Sequence, residues 1–425
     1  MRDCPAIRIF TKIMPLGFSF DIAKRIAFNK QRSFSRFIIR LSIAATTLSV
    51  AAMILTLAFV NGFQQTVASK IFSFWGHIRV QHYEAGKSLI AEETPFTYDS
   101  SISHIIQTNN NVLRVQAFAT KSAVIESKGE IEGVLLKGID RGYDSSELKS
   151  FFTAGNWLQF EDSNYSKQII VSKALADQLN IRLNDTLKVH FVSSIDDSRT
   201  YRKLQVTGIY KTGIEEYDKL FVIGDIQLIR RINEWRNDQI GGYEVFVKDY
   251  TKMDSVSRQL SEQLPVEWMS RTIREVYPNI FDWLNIQDVN RDVIFIVMSA
   301  VAIINLITCL LILILERTRM VGILKALGAD NWTIQKIFLY HASVITITGI
   351  VLGLILGVGI CWLQQLTGFI RLDETSYYVR EAPMIIIWWQ VLAITVGTAV
   401  VCYASLIIPS LLIRKVNPVK AIQFR

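Results

Sequence analysis

Four stretches of this chain carry no Asp, Glu, Lys or Arg: Leu41–Val60, Val293–Leu315, Ile337–Leu363 and a window inside Ala382–Ile413. A helix needs about 20 apolar residues to cross ~30 Å of hydrocarbon. One charge at the centre of such a helix costs about 2.5–3.5 kcal/mol. The pattern therefore predicts four transmembrane helices, over 41–60, 293–315, 337–363 and 386–410. Between the first and second the pattern shortens. Alternating runs at His77–His82, Val112–Glu126, Glu132–Leu136 and Lys203–Tyr210 predict strands. Ile169–Ser172 reads as a strand entering a helix at Lys173–Asn180, and Asn184-Asp185 turns into a strand at Thr186–Phe191. Tyr243–Lys248 reads as a strand, followed by a helical run from Asp249 to Leu264. After Pro265 the chain is expected to be helical from Trp268 through Asp292, with Trp283 near the membrane interface. Strands and helices alternate without glycine-rich phosphate loops, so the natural class of this region, 64–285, is α+β. The predicted fold is an α-helical membrane protein of four transmembrane helices, with a large α+β extracytoplasmic domain inserted between helices 1 and 2.

Charge orients this plan. The net charge of +8 is unevenly spread. Residues 1–40 carry +7, 64–292 carry −4, 316–336 carry +2, 365–381 carry −1 and 414–425 carry +4. Lys and Arg flank spans on the cytoplasmic side. Both termini and the 316–336 loop are therefore expected inside, with the 64–285 domain and the 365–381 loop outside. A pI near 9.2 does not signal nucleic acid here, because the basic residues flank spans and do not form one basic face. Within the leader, Ile22, Ile26, Phe34, Phe37 and Ile38 recur at helical spacing, with Lys24, Arg25, Lys30, Arg32 and Arg36 between them. That describes either an interfacial amphipathic helix or a basic flank that only sets topology. The first apolar run starts at Leu41 and lacks a small-residue cleavage pattern, so it is expected to be an uncleaved span; Met14 is an alternative start. Of the four cysteines, Cys4 lies in the leader and Cys309, Cys361 and Cys402 lie in spans. The outer domain must then be held by its own core without disulfides.

Catalytic chemistry is hard to find. Gly86-Lys87-Ser88 resembles the end of a phosphate-binding loop, but Gln81 stands where that loop needs glycine. His77 and His82 are expected on opposite faces of a strand, and His104, His190 and His341 are isolated. No Cys/His pair has zinc spacing, so no metal site is expected. Glu215, Glu216 and Asp218 read as a solvated charge run. The spans offer only Asn305 and His341 as polar candidates for an ion path, and Asn305 is expected to hydrogen-bond between helices. Small residues line two spans: Gly349, Gly353 and Gly357, with Gly359 beyond, in the third, and Ser42, Ala45, Ser49 and Ala52 in the first. Such faces serve close helix packing, with a dimer interface or a substrate-facing groove as alternatives. Trp388 and Trp389 suit an outer headgroup belt. If the chain moves anything, energy must come from a partner on the cytoplasmic side.

The loop between spans two and three, 316–336, is where such a partner would act. It runs Glu316-Arg317-Thr318-Arg319-Met320-Val321-Gly322-Ile323-Leu324-Lys325-Ala326-Leu327-Gly328-Ala329: polar, then amphipathic, then closed by glycine. This stretch resembles the signature of FtsX-like ABC permeases. Asn417-Pro418-Val419-Lys420-Ala421-Ile422 is similar to the C-terminal motif of that family. Ile22-Ala23, Arg25, Arg36-Phe37-Ile38 and Val60-Asn61-Gly62-Phe63 fit its start. Phe281-Asp282-Trp283-Leu284 and Gln287-Asp288 narrow the likeness to the lipoprotein-releasing (Lol) permeases, LolC and LolE.

The resemblance implies a dimeric ABC transporter of MacB-like type in the inner membrane of a two-membrane bacterium. Two four-span subunits, either two copies or a copy and a paralogue, would stand on a LolD-like ATPase dimer that binds the ATP and Mg. It implies a MacB-like periplasmic core domain outside and a coupling helix inside. Val321, Ile323, Leu324, Ala326 and Leu327 would seat in the ATPase, and Gly322 and Gly328 would allow close approach and helix termination. Glu316 belongs to the same motif, and Arg317, Arg319 and Lys325 would face acidic groups of the ATPase or lipid headgroups. The implied cargo is a triacylated lipoprotein, passed to a LolA-like carrier. The family's carrier-holding hook falls at Val192–Arg202. Here Ser193, Ser194, Ile195, Asp196, Asp197, Ser198 and Arg199 form a short stretch without a proline pair, so the hook is either reduced or absent. Two rivals remain: a force-transmitting permease acting on an efflux partner or cell-wall hydrolase, and a membrane-anchored sensor.

Overall fold

A computed structural model describes residues 34–83, 93, 95–161, 165–192 and 199–411. The leader upstream of Phe34 with Cys4 and Met14, Gly86-Lys87-Ser88, the hook residues Ser193–Ser198 and the 414–425 tail with its Asn417–Ile422 motif lie outside the described residues.

In chain order, a long helix α1 (Phe34–Trp75) leads into β1 (Ile78–His82), β2 (Phe96–Thr97), α2 (Ser100–Thr108), β3 (Val112–Ser127) and β4 (Glu130–Ile139). Then come α3 (Ser146–Lys149), β5 (Phe152–Gly155), β6 (Gln168–Ser172), α4 (Lys173–Gln178), β7 (Thr186–Val192) and β8 (Arg199–Tyr210). These are followed by α5 (Glu215–Leu220), β9 (Phe221–Asp225), α6 (Ile226–Ile232), β10 (Gln239–Ile240), β11 (Gly242–Val247), α7 (Met253–Gln263), β12 (Trp268–Thr272) and α8 (Ile273–Val276). The chain finishes with α9 (Pro278–Glu316), α10 (Thr318–Ala326), α11 (Asn331–Thr367), α12 (Glu374–Tyr377) and α13 (Trp388–Ser410). Two compact units result: residues through Gln64 with Asn285–Arg371 and Glu381 onward, and Gln65–Leu284 with Leu372–Arg380.

The first unit is helical. Helices α1, α9, α11 and α13 are each long and apolar enough to cross a membrane. Half of the apolar window of α1 is buried within the protein, against 22% for α13, so α1 is the enclosed helix. The glycine stripe of α11 explains its closest neighbour. A Cβ at Gly349 would stand 2.8 Å from Thr46 Cβ, one at Gly353 would stand 2.7 Å from Val50 Cβ, and one at Gly357 3.1 Å from Ile54 Cβ. Thr47 Oγ1 also donates to Gly349 O at 3.2 Å. The face of α1 met by the stripe is thus Thr46, Thr47, Val50 and Ile54. Ser42 lies on the adjoining face with Ala45, Ser49 and Ala52, where Asn305 Nδ2 donates to its carbonyl (3.1 Å) and its hydroxyl (3.0 Å). Ser42 and Ser49 are buried, and Ala45 and Ala52 are half-buried. The Asn61-Gly62 pair also has a job: Asn61 Nδ2 donates to Gln390 Oε1 at 2.6 Å, and Gly62 leaves room for the Pro383 carbonyl. Trp388 and Trp389 open α13, both 68% exposed.

The second unit is α+β. Strands β12, β1, β11 and β3 lie side by side in that order, all neighbours antiparallel. With α2 following β1 and α7 following β11, this is a ferredoxin-like β-α-β plus β-α-β arrangement. Strand β3 is long enough to continue past it. Its far half pairs with β4 on one side and β7 on the other, and β4, β9, β6, β8 and β7 close a ring back onto β3. Ile125, Leu136, Val189, Leu204, Val206 and Val222 on these strands have no solvent exposure.

Two expectations need correction, and one strand, Phe221–Asp225, was not expected at all. Trp268–Thr272, expected helical, is the edge strand β12; its Ser270 and Thr272 are buried, and Ser257 of α7 closes on Ser270 at 2.9 Å. Phe221–Asp225 is a strand parallel to β4, although its even apolarity gave no alternation. Asp218 is not solvated: it is 5% exposed in α5 and accepts from Thr212 N (3.0 Å), Thr212 Oγ1 (2.8 Å) and Gly213 N (3.0 Å).

The stripe yields a direct check. Gly353→Leu drives a side chain into Val50 and is expected to cost about 1–3 kcal/mol, seen as a lowered thermal midpoint of the detergent-solubilised protein. Gly359→Leu, where an added Cβ meets nothing within 4 Å, leaves the midpoint unchanged. Equal effects from the two would refute the packing role.

Candidate functional site

The loop between α9 and α11 forms a short helix closed by a C-terminal cap. Helix α9 ends at Glu316, and Thr318 Oγ1 bonds back to Ile314 O (3.2 Å) and Leu315 O (2.7 Å). Such back-bonding loosens a helix at its end. Arg317 then adopts a non-helical conformation as the N-cap of α10, and its carbonyl accepts from Val321 N at 3.0 Å. The far end closes on Gly328, whose φ of +89° lies in the left-handed region. Gly328 N donates to Lys325 O (3.0 Å) and Ala329 N to Leu324 O (2.9 Å). That pair of bonds is the left-handed glycine cap, with its apolar contact between the Leu324 and Ala329 positions. One residue later Asp330 caps α11 by accepting from Trp332 N at 3.2 Å.

Helix α10 divides its residues into two faces. Val321 has no exposure and joins the buried cluster of Leu310, Leu313, Ile314, Ile334 and Phe338; Met320, Leu324 and Ala329 pack beside it. Gly322 is buried as well, and Arg317 and Lys325 are half-buried. Burial pushes the Lys325 ammonium pKa down. The opposite face is open: Arg319 and Ala326 are exposed, Ile323 is 45% exposed and Leu327 72%. The apolar residues expected to act together are therefore split. Val321, Gly322 and Leu324 serve this chain's own core, while Ile323, Ala326 and Leu327 face outward. Periodicity showed an amphipathic helix but not this division, because both faces carry aliphatic residues.

Trp332 went unnoticed in the sequence. It is 53% exposed on the first turn of α11, with Lys336 Nζ 5.4 Å from its ring centroid. An aromatic next to the Gly328-Ala329-Asp330 punctuation was the signal that marks it. Among the described residues no three His, Cys, Asp or Glu side chains gather as metal ligands. The loop offers a rigid apolar knob with a guanidinium beside it, which is equipment for docking.

Four membrane-length helices, an outer α+β domain and a capped amphipathic helix between the second and third of those helices define a multi-span membrane protein with a periplasmic-type domain. Residues 41–263 match the MacB-like periplasmic core domain, and residues 293–418 match the FtsX-like permease C-terminal domain. More than half of the chain falls in the first match, and the chain belongs to the MacB-like, FtsX-like permease family. Curated relatives include the lipoprotein-releasing system transmembrane protein LolC of Xylella fastidiosa, 20% identical over 96% of this chain and 98% of that protein. LolE of Haemophilus influenzae is 21% identical over 95% and 98%. LolC of Neisseria meningitidis is 22% identical over 93% and 96%.

The two faces of α10 are separable by mutation. Val321→Asp buries an unpaired charge and is expected to cost several kcal/mol, at least ~2, read as a lower thermal midpoint. Leu327→Asp leaves the midpoint in place. Matching losses would show that the helix has no free face.

Proposed function

We infer that this chain is the membrane-spanning permease subunit of an ABC transporter that releases lipoproteins from the outer leaflet of the inner membrane toward the outer membrane. The observation that carries this reading is the outward face of α10, closed by a glycine cap and anchored by Val321 inside the FtsX-like match. The names of the full-length relatives supply the cargo class.

In this reading α10 is the coupling helix. Ile323, Ala326 and Leu327 seat in an apolar slot of a LolD-like ATPase, Arg319 meets acidic groups at its rim, and Val321 and Leu324 anchor the helix to its own subunit. Because both ends are already ordered, docking loses little conformational freedom. The partner holds ATP and Mg and performs the hydrolysis, and each of two permease subunits, identical or paralogous, seats one ATPase. The charge distribution supports termini and α10 on the cytoplasmic side, with the domain of Gln65–Leu284 in the periplasm. Domain limits follow the four spans at 41–60, 293–315, 337–363 and 386–410. A LolA-like carrier takes the cargo outside.

Ile323→Asp and Arg319→Glu should each reduce copurification of the ATPase by at least roughly tenfold, the equivalent of about 1.4 kcal/mol, without lowering the thermal midpoint of the permease. Unchanged ATPase binding would sink the docking role. Photoreactive residues placed along 41–60 should label lipoprotein acyl chains. Docking without any acyl labelling would favour the force-transmitting alternative.

A further inference from the structure

The segment Leu372–Arg380 lies in the connection between α11 and α13, yet it packs as part of the outer-domain unit. Its contacts converge on three cations and three carboxylates. The Lys70 ammonium, on the last turns of α1, donates to Thr212 O at 2.8 Å and to Tyr378 O at 2.7 Å, joining two distant segments. Lys211 Nζ pairs with Glu374 Oε2 at 2.5 Å, and Arg380 Nε reaches the same oxygen at 2.7 Å. Asp218 holds the 212–213 turn that aims Thr212 O at Lys70. Tyr378 OH donates to Glu216 Oε1 at 3.0 Å, and its ring stands edge-on to Trp283, with centroids 5.6 Å apart.

Two features set this joint apart from a permanent one. Tyr378 has φ +59°, left-handed. That conformation costs an L-residue roughly 1–2 kcal/mol. A glycine there would avoid the strain but would lose the hydroxyl on Glu216 and the ring on Trp283. Strain held at such a point belongs with switching segments. Val379 is also the sole fully buried residue of Leu372–Arg380. The segment is therefore held by charge and hydrogen bonds, with little apolar area, and such contacts open at low free-energy cost. On the opposing side Gly213 has φ +77°, which favours glycine, and a Cβ there would press on Glu374 Oε1 (2.8 Å) and Lys70 Nζ (3.0 Å). For Glu374, burial raises the carboxyl pKa, but the bonds from Lys211 and Arg380 outweigh it and leave the group below its usual range, so it stays ionised at neutral pH.

We propose that Leu372–Arg380 is a reversible latch, closed on Lys70, Lys211 and Glu216, that opens and recloses during each transport cycle. Its closure by these contacts stands independently of the transport reading; its cycling rests on that reading.

Hydrogen–deuterium exchange of the full-length protein tests the closure. Lys211→Met, which loses one charge-assisted hydrogen bond, and Gly213→Ala, which strains the 212–213 turn and displaces the Glu374 and Lys70 side chains, should each speed exchange across 372–380 on the order of tenfold. Lys219→Met, which removes an exposed lysine paired with Glu215 on the same helix, should leave it unchanged. Unaltered exchange in the first two variants overturns the latch. Cycling is tested with Lys211→Cys and Glu374→Cys joined by a short cleavable thiol crosslinker, in permease carrying its ATPase. ATP-driven lipoprotein release should stop while ATPase binding persists, and cleaving the linker should restore release. Full release from the crosslinked protein overturns cycling. Failure of any ATPase to bind would count against the transport reading and leave the exchange result intact.

Discussion

The last turn of α1 is gripped by a lysine that water does not reach. Lys137 of β4 donates to the Phe74 carbonyl, pairs with Glu244 of β11 at 2.6 Å and lies near Tyr143 OH at 3.3 Å. Its ammonium sits over the Trp75 ring at 4.5 Å. Burial pushes its pKa down and Glu244 pulls it back up. A helix C-terminus carries partial negative charge, so a cation placed there is favoured and also satisfies a carbonyl that has no helical partner. The interaction is costly to break, because deleting one member of a buried pair strands the other, at about 3–5 kcal/mol. It is also directional: sliding α1 by one residue would take Phe74 O away from the ammonium. The register of the last turns of α1, Gln65–Trp75, against the sheet is thereby set.

Other features follow from that register. Trp75 lies against Arg79 (4.6 Å), which also stands 4.8 Å from the neighbouring Phe118 ring and pairs with Glu93 at 2.7 Å. Glu93 in turn accepts from both the amide and the hydroxyl of Thr120. Phe72, one turn earlier, stacks on Phe281 of α9 at 5.9 Å. The start of the second long helix is thus positioned by the end of the first, and Lys70 is brought to the 212–213 turn. A polar network of this kind adds little net stability over an apolar core, but it excludes alternative registers.

How much of this was legible depended on how local its cause was. The spans were visible because lipid imposes a rule on every residue, and Leu41–Val60 or Ile337–Leu363 obey it without exception. Strands with one wet face, such as Val112–Ser127, were visible through alternation. Phe221–Asp225 was hidden because all five residues are buried, which removes the period. Trp268–Thr272 was hidden because it is a strand only by pairing with β1, almost two hundred residues away. The α9–α11 loop could be found as an amphipathic helix, yet the inward set of Val321 and Leu324 depended on Ile334 and Phe338 arriving from α11. The contacts of Glu374 and Tyr378 bring together segments with no periodic or compositional mark.

Two kinds of joint thus occur in one chain, and their chemistry separates their roles. The α10 loop is closed by an unstrained glycine cap and an apolar anchor, so it holds its shape whether or not a partner is seated. That suits a part that must pass on force without absorbing it. The Leu372–Arg380 joint has the reverse composition: a strained tyrosine, half-buried ion pairs and one buried valine. Solvent still reaches these pairs, which keeps their net contribution modest, and one left-handed residue offsets part of it, leaving a contact close to balance. A contact near balance responds to small forces, and a deep apolar contact such as the α1–α11 stripe does not. In the proposed transport cycle the stripe and the α10 anchor therefore stay closed while the Tyr378 joint opens.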